Sequence, residues 1–401
     1  MGAEEKESTV KKCIEQMLMI AAESRENLNV QDTRKHILFL ASEYSYIWCG
    51  VMPLFKYYAK KKYTLCTVVF PDIKHILEIS ERNLNEIADN SLEIRHQGGV
   101  VWFDDTWQPC SSYEVCYLNL GLSRWYSFGI SENIRKVSKK IISLQAIAYH
   151  THYYHGSEKF DGMFAESHRK CIDYAVVSCF IAAWASQKEE NWKDKLVPLG
   201  YPRMDSLYKN LKECKIPEQW KKKAEGKKVI YFNGTLQSSL FIYCYEYCKK
   251  NQAEILWRPH PYDFEKPHVR ERVEKLKQDK NIIIDTNQSY DAAFCISDAM
   301  VTVYYSSILI NYLFTDKPVL ILDKGFYHED NKIDFSDEAW YKASYVTNDE
   351  ESGRAFIDMI MDGRDDEKED KLPYRKFMQQ GFDGMVCERI ADFADKNFSD
   401  I

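Results

Sequence analysis

Three short stretches of this chain carry residues that could do chemistry on a phosphorylated substrate. The first is Leu256-Trp257-Arg258-Pro259-His260-Pro261. A strand-like apolar run ends here in an arginine and a histidine, and the prolines on either side of the histidine restrict its backbone. A guanidinium offers a fork of donors matched to phosphate oxygens. A histidine beside it suits charge that builds on a leaving phosphate. The plainer reading is a capped strand end with a surface arginine.

The second stretch is Ala299-Met300-Val301-Thr302-Val303-Tyr304-Tyr305-Ser306-Ser307, after which an apolar helix begins. Serine is a favoured N-cap, and the N–H groups of a first helical turn attract anions. Ser306 and Ser307 can therefore cap the helix and still face a phosphate, with Tyr305 beside them. Asp298, just before the strand, reads as a turn residue. The third stretch is His150-Thr151-His152-Tyr153-Tyr154-His155-Gly156. Alternate residues of an extended segment point to opposite sides, and no acidic or cysteine ligand stands next to these histidines, so a zinc site is disfavoured. One histidine acting as general base on an acceptor hydroxyl fits better. His155, followed by a flexible glycine, is the first choice and His152 the second; stacked or hydrogen-bonded loop histidines are the structural alternative.

These stretches need strands to carry them. In the first half, β-branched apolar runs stand at 36–41, 65–70, 100–103, 114–118, 143–149 and 174–178, with helical patterns such as 51–61 and 73–90 between them. The second half repeats the scheme at 228–232, 254–257, 282–285, 299–303, 318–322 and 344–346. Such alternation predicts βαβ units and parallel sheets. The expected fold is α/β and GT-B-like: two Rossmann-type domains with parallel sheets facing a central cleft. The expected division is 1–205, an acceptor-side domain, and 206–401, a nucleotide-donor domain, with the last helix able to pack back on the first. Ligands of such sheets sit beyond the C-terminal strand ends. No GxGxxG, Walker A or HExxH pattern occurs. The pair Gly98-Gly99 precedes a strand and reads as a turn.

The net charge of −7 argues against general nucleic-acid binding. Eight lysines and three glutamates lie between Lys209 and Lys228, and Lys60, Lys61 and Lys62 form a smaller cluster. A solvated helix face explains such a run; a contact with an anionic membrane or acceptor polymer is the functional alternative. The twelve cysteines are scattered through apolar segments, as in a reducing compartment. Cys244 and Cys248 share a helix face without a second pair to complete a zinc site. With neither a signal-like N-terminus nor a run of about 18 apolar residues, the expected location is the cytoplasm, peripheral at most to the inner face of the plasma membrane.

The order of these segments resembles the CDP-glycerol glycerophosphotransferases, the teichoic-acid primases and polymerases of bacterial cell walls. The resemblance rests on Tyr154-His155-Gly156, Asp173-Tyr174-Ala175-Val176-Val177-Ser178, Gly200-Tyr201-Pro202-Arg203-Met204-Asp205, Arg258-Pro259-His260-Pro261, Ser297-Asp298, Tyr305-Ser306-Ser307 and Lys317-Pro318-Val319-Leu320. It spans residues 150 to 325. It implies a GT-B fold, CDP-glycerol or a similar nucleotide donor, transfer of glycerol phosphate to a hydroxyl of a glycan or lipid-linked saccharide, and release of CMP with neither metal nor cofactor. By position, His155 would be the acceptor-side base, while Arg258, His260, Ser306 and Ser307 would hold the diphosphate; Arg203 and Tyr305 join the substrate-binding set. The chain departs from the family pattern in having Tyr154 for tryptophan, and Tyr304 and Asn311 for aspartates. A glycosyltransferase using a nucleotide sugar and a non-catalytic protein with a decayed site are the alternatives.

Overall fold

The computed structural model describes residues 3–28, 33–42, 45–79, 81–109, 112–119, 130–138, 140–145, 166–188, 190–233, 239–259, 266–279, 281–287, 289–303, 306–322 and 337–397. They form two compact units. One takes the described residues up to Ser206 together with those from Asp383 onward, and the other lies within Leu207–Phe382.

The first unit is built on β1 (Lys35–Leu40), β2 (Thr64–Phe70), β3 (Val100–Phe103), β4 (Val115–Asn119), β5 (Ile141–Leu144), β6 (Tyr174–Val177) and β7 (Leu196–Pro198), in the order β3-β2-β1-β4-β5-β6-β7. The second is built on β8 (Val229–Asn233), β9 (Glu254–Arg258), β10 (Ile282–Ile284), β11 (Ala299–Val303), β12 (Val319–Leu322) and β13 (Tyr345–Thr347), in the order β10-β9-β8-β11-β12-β13. Every pairing in both sheets is parallel. Strands buried on both faces must be apolar throughout, and every residue of β2, Thr-Leu-Cys-Thr-Val-Val-Phe, is buried. Each sheet reverses its winding once, between β1 and β4 and between β8 and β11. That reversal opens the crevice where doubly wound sheets take ligands.

Helix Ser239–Lys250 and helix Glu350–Met361 cover one face of the second sheet. Leu240, Cys244, Cys248, Phe356 and Ile360 join Phe232, Trp257, Val301 and Leu322 in one core. Cys244 and Cys248 are thus packing residues, and burial pushes both thiols up.

Three local readings are corrected. The sequence missed β7, a three-residue edge strand ending in Pro198, where the missing N–H costs nothing. The pattern at 73–90 is two helices, Ile73–Ile79 and Glu81–His96. The strand placed at 143–149 begins earlier, at Ile141, and 146–149 lie outside the described residues. In the lysine-rich stretch many charges are engaged locally. Lys215 pairs with Glu213, Lys221 with Glu218, Lys227 with Glu254 and Lys228 with Asp298, while Lys223 donates to the Ile282 carbonyl.

Candidate active site

Strand register sets a polar row across the C-terminal end of the second sheet. Asn233 of β8 lies opposite Arg258 of β9 on one side and opposite Thr302 of β11 on the other. Asp285 continues the row, its N–H donating to the Trp257 carbonyl at 2.9 Å just past β10. The row straddles the strand reversal between β8 and β11.

Arg258 is not a surface residue: it is 6% exposed, and its Nη1 donates to Oδ2 of the buried Asp285 at 2.6 Å. The Tyr290 ring lies 5.9 Å from the guanidinium, and the Tyr290 hydroxyl accepts from Asn311 Nδ2 at 2.7 Å. Burial works against the charge on Arg258, but nearby Tyr231 and Asp285 outweigh it and hold the group above its ordinary value. A cation is therefore fixed at a strand end, where a buried charge survives only if paired. Asn311, one of the departures from the family pattern, has a use here as the donor that orients Tyr290.

Ser306 occupies the N-cap position of helix Ser307–Tyr312, yet its side chain makes no capping bond. Its hydroxyl accepts instead from Asn233 Nδ2, which also donates to Thr302 Oγ1 at 3.3 Å. The serine is turned toward the polar row. Ser307 is the first residue of the helix, and its side chain lies outside the described residues. Asp298 acts at the opposite end of the sheet. Its carboxylate accepts from the Val229 N–H at 2.8 Å and from Lys228 at 3.2 Å, pinning the start of β11 to the start of β8.

Arg203 belongs to the first unit, at the start of helix Arg203–Glu213, where its Nη1 donates to Ser206 Oγ at 3.0 Å. The surrounding motif is held together by packing. Gly200 has φ +97°, and a Cβ there would meet Met204 Sδ and Val386 Cγ2 at 3.0 Å each. Asp205 accepts from the Val386 and Cys387 N–H groups at 2.8 Å each, holding the first turn of helix Val386–Lys396. Phe393 of that helix meets Tyr174 edge-on with ring centroids 5.0 Å apart.

His260, Tyr305, His150, His152 and His155 lie outside the described residues. Of the expected set, the structure links Arg258 and Ser306 through Asn233. Sequence reading missed Asn233, Asp285 and Tyr290. Asn233 and Asp285 are polar and follow apolar runs at strand ends, the one signal that could have marked them; Tyr290, beyond a polar stretch, carries no such signal. A neighbouring cavity of about 340 Å³ is lined by Asn287, Ser289 and Asp291, which follow Asp285, and by Asn210, Glu213 and Lys215.

A family described as CDP-Glycerol:Poly(glycerophosphate) glycerophosphotransferase matches residues 140–394. Two curated relatives are the teichoic acid ribitol-phosphate polymerases TarL and TarK of Staphylococcus aureus. TarL is 27% identical over 225 residues, covering 51% of this chain and 37% of TarL. TarK is 26% identical over 225 residues, covering 51% of this chain and 40% of TarK. The chain thus spans about two fifths of the length of these relatives. Among solved structures, the wall teichoic acid polymerase TagF with CDPG has a TM-score of 0.50 at 14% identity, covering 98% of this chain and 95% of that one. Staphylococcus aureus MnaA with UDP has a TM-score of 0.59 at 14% identity, covering 92% and 98%. At such identities the likeness shows the fold, which is of the expected GT-B type.

Proposed function

The chain belongs to the CDP-glycerol:poly(glycerophosphate) glycerophosphotransferase family, and we propose on that footing that it transfers a polyol phosphate from a CDP-alcohol to a hydroxyl. The donor is CDP-glycerol or a close relative, the acceptor a cell-surface glycan or lipid-linked saccharide, and the product CMP. The acceptor oxygen forms a bond to the phosphorus that carries the polyol. The bond from that phosphorus to the oxygen shared with CMP breaks, and negative charge collects on the departing CMP phosphate.

The observation that carries this reading is the Arg258 guanidinium, held by Asp285 at the end of β9 in the same polar row as Asn233. A fixed cation stabilises developing charge without first having to be reoriented. Ser306, turned to Asn233, would hold a second phosphate oxygen. By position in the family pattern, His260 would assist the leaving phosphate and His155, or His152, would take the acceptor proton. Ser307, Tyr305 and Arg203 complete the proposed binding set.

Incubating the protein with CDP-glycerol, CDP-ribitol and UDP-sugars in parallel, while assaying free CMP and UDP, tests the proposal. CMP released from a CDP-alcohol in the presence of a saccharide acceptor is the expected result. UDP release alone would assign the fold to a glycosyltransferase instead.

A further inference from the structure

Among the described cysteines, Cys214 alone is exposed, and Cys295 is one of three that are half-buried. Cys214 is exposed and follows helix Arg203–Glu213 with φ +46°. Helices that end in a left-handed residue ordinarily use glycine or asparagine there. Its N–H donates to the Asn210 carbonyl at 2.8 Å. Cys295, in the last turn of helix Asp291–Ile296, is half-buried, and its thiol reaches the same carbonyl at 4.0 Å. The Cys214 backbone and the Cys295 thiol thus meet at one carbonyl oxygen, which brings the two cysteines side by side.

The surroundings supply one charge of each sign. The Lys317 ammonium donates to the carbonyls of Phe294 and Cys295 at 2.7 and 3.0 Å and faces the pair, and Asp291 faces it as the anion. Of the two thiols, the exposed Cys214 is the one a small disulfide can reach. We infer that Cys214 and Cys295 are a thiol-modification site that closes to a reversible disulfide on meeting a low-molecular-weight disulfide.

The exchange balances without a further reagent. The exposed Cys214 thiolate attacks one sulfur of the small disulfide; that S–S bond breaks, and one small thiolate leaves and takes up the proton Cys214 gave up. Cys295 then attacks the Cys214 sulfur of the mixed disulfide, forming the protein S–S bond and expelling the second small thiol with the remaining proton. Two protein thiols are oxidised, and one small disulfide is reduced to two thiols. Burial first, and then the neighbouring Cys214, push the Cys295 thiol up to about 12. Asn210 and Asp291 also line the cavity beside the polar row, so closure would tie two of its walls together.

The full-length chain is treated with oxidised glutathione under native conditions, digested without reductant and analysed by mass spectrometry. The expected result is a peptide containing Cys214 linked to one containing Cys295, an intact mass lower by two hydrogens, and reversal by dithiothreitol. Cys295→Ser should instead accumulate a glutathione adduct on Cys214, and Cys214→Ser should give neither adduct nor link. A wild-type protein that keeps glutathione on Cys214 without a link, leaves Cys214 unreacted, or forms the link only in urea would overturn the inference.

Discussion

The side-chain amide of Asn233, the last residue of β8, donates to the hydroxyl of Ser306 across the strand reversal of the second sheet. A serine placed to cap a helix is thereby drawn toward the polar row. Removing either partner leaves the other without this bond in a part-buried place, at a cost of about 1 kcal/mol. Ser306→Ala should therefore lower stability only slightly while reducing CDP-alcohol turnover about tenfold. A double-mutant cycle with Asn233→Ala, followed by CMP release, should give a coupling of about 0.5–1.5 kcal/mol. Additive effects would separate Ser306 from Asn233 in the proposed site.

Arg258 and Asp285 form a buried ion pair, so stability and activity should part company when both are replaced. Arg258→Ala strands Asp285 in the interior, at about 3–5 kcal/mol. Arg258→Met combined with Asp285→Leu should recover most of that stability, because apolar replacements of a buried pair are often close to neutral. Turnover should stay at least about a hundredfold down, the loss typical of a single charge-stabilising donor. Urea melts alongside the CMP assay distinguish the cases; full activity in the double variant would remove Arg258 from the proposed chemistry.

The Gly200–Asp205 motif predicts a loss of stability in the first unit. Asp205→Ala unties the Val386 and Cys387 N–H groups, for about 1–3 kcal/mol. Gly200→Ala adds a Cβ where φ is +97° and two side-chain atoms stand at 3.0 Å. Each change should lower the melting temperature by about 2–4 °C per kcal/mol lost. Hydrogen exchange should locate the loosening at helix Val386–Lys396, and unchanged protection there would contradict the assignment.

His168 predicts acid sensitivity. It is buried, its Nε2 lies 3.0 Å from Ser143 Oγ, and its ring stacks on Trp192. Burial first and the Lys195 charge second push it from 6.5 down to about 4. The unfolded chain therefore takes up the proton at a higher pH than the folded one. The stability from this site is fully present above pH 6.5 and is lost as the pH falls toward 4, by about 3 kcal/mol in all. Urea midpoints measured between pH 7 and 4.5 should fall more steeply for the wild type than for His168→Asn.

The sequence made the strands legible because buried parallel strands are unbroken apolar runs, as at 65–70 and 299–303. It also exposed Arg258 and Ser306, since polar residues directly after such runs stand out. The polar row was not legible. Asn233, Arg258 and Thr302 are far apart in the chain and meet only through strand register, which local pattern does not encode. Nor could the sequence show that Arg258 is buried, because that depends on Asp285 arriving from the next strand. The Gly-Tyr-Pro-Arg motif marked the family, but its work in the described structure is largely mechanical.

Helix Val386–Lys396 belongs to the unit whose described strands are all made before residue 199. On the ribosome, the later unit can complete its core while the earlier one still lacks the segment that Asp205 caps. The half synthesised first is then finished last. Until translation passes Lys396, the edge that Phe393 presents to the Tyr174 ring is not yet in place.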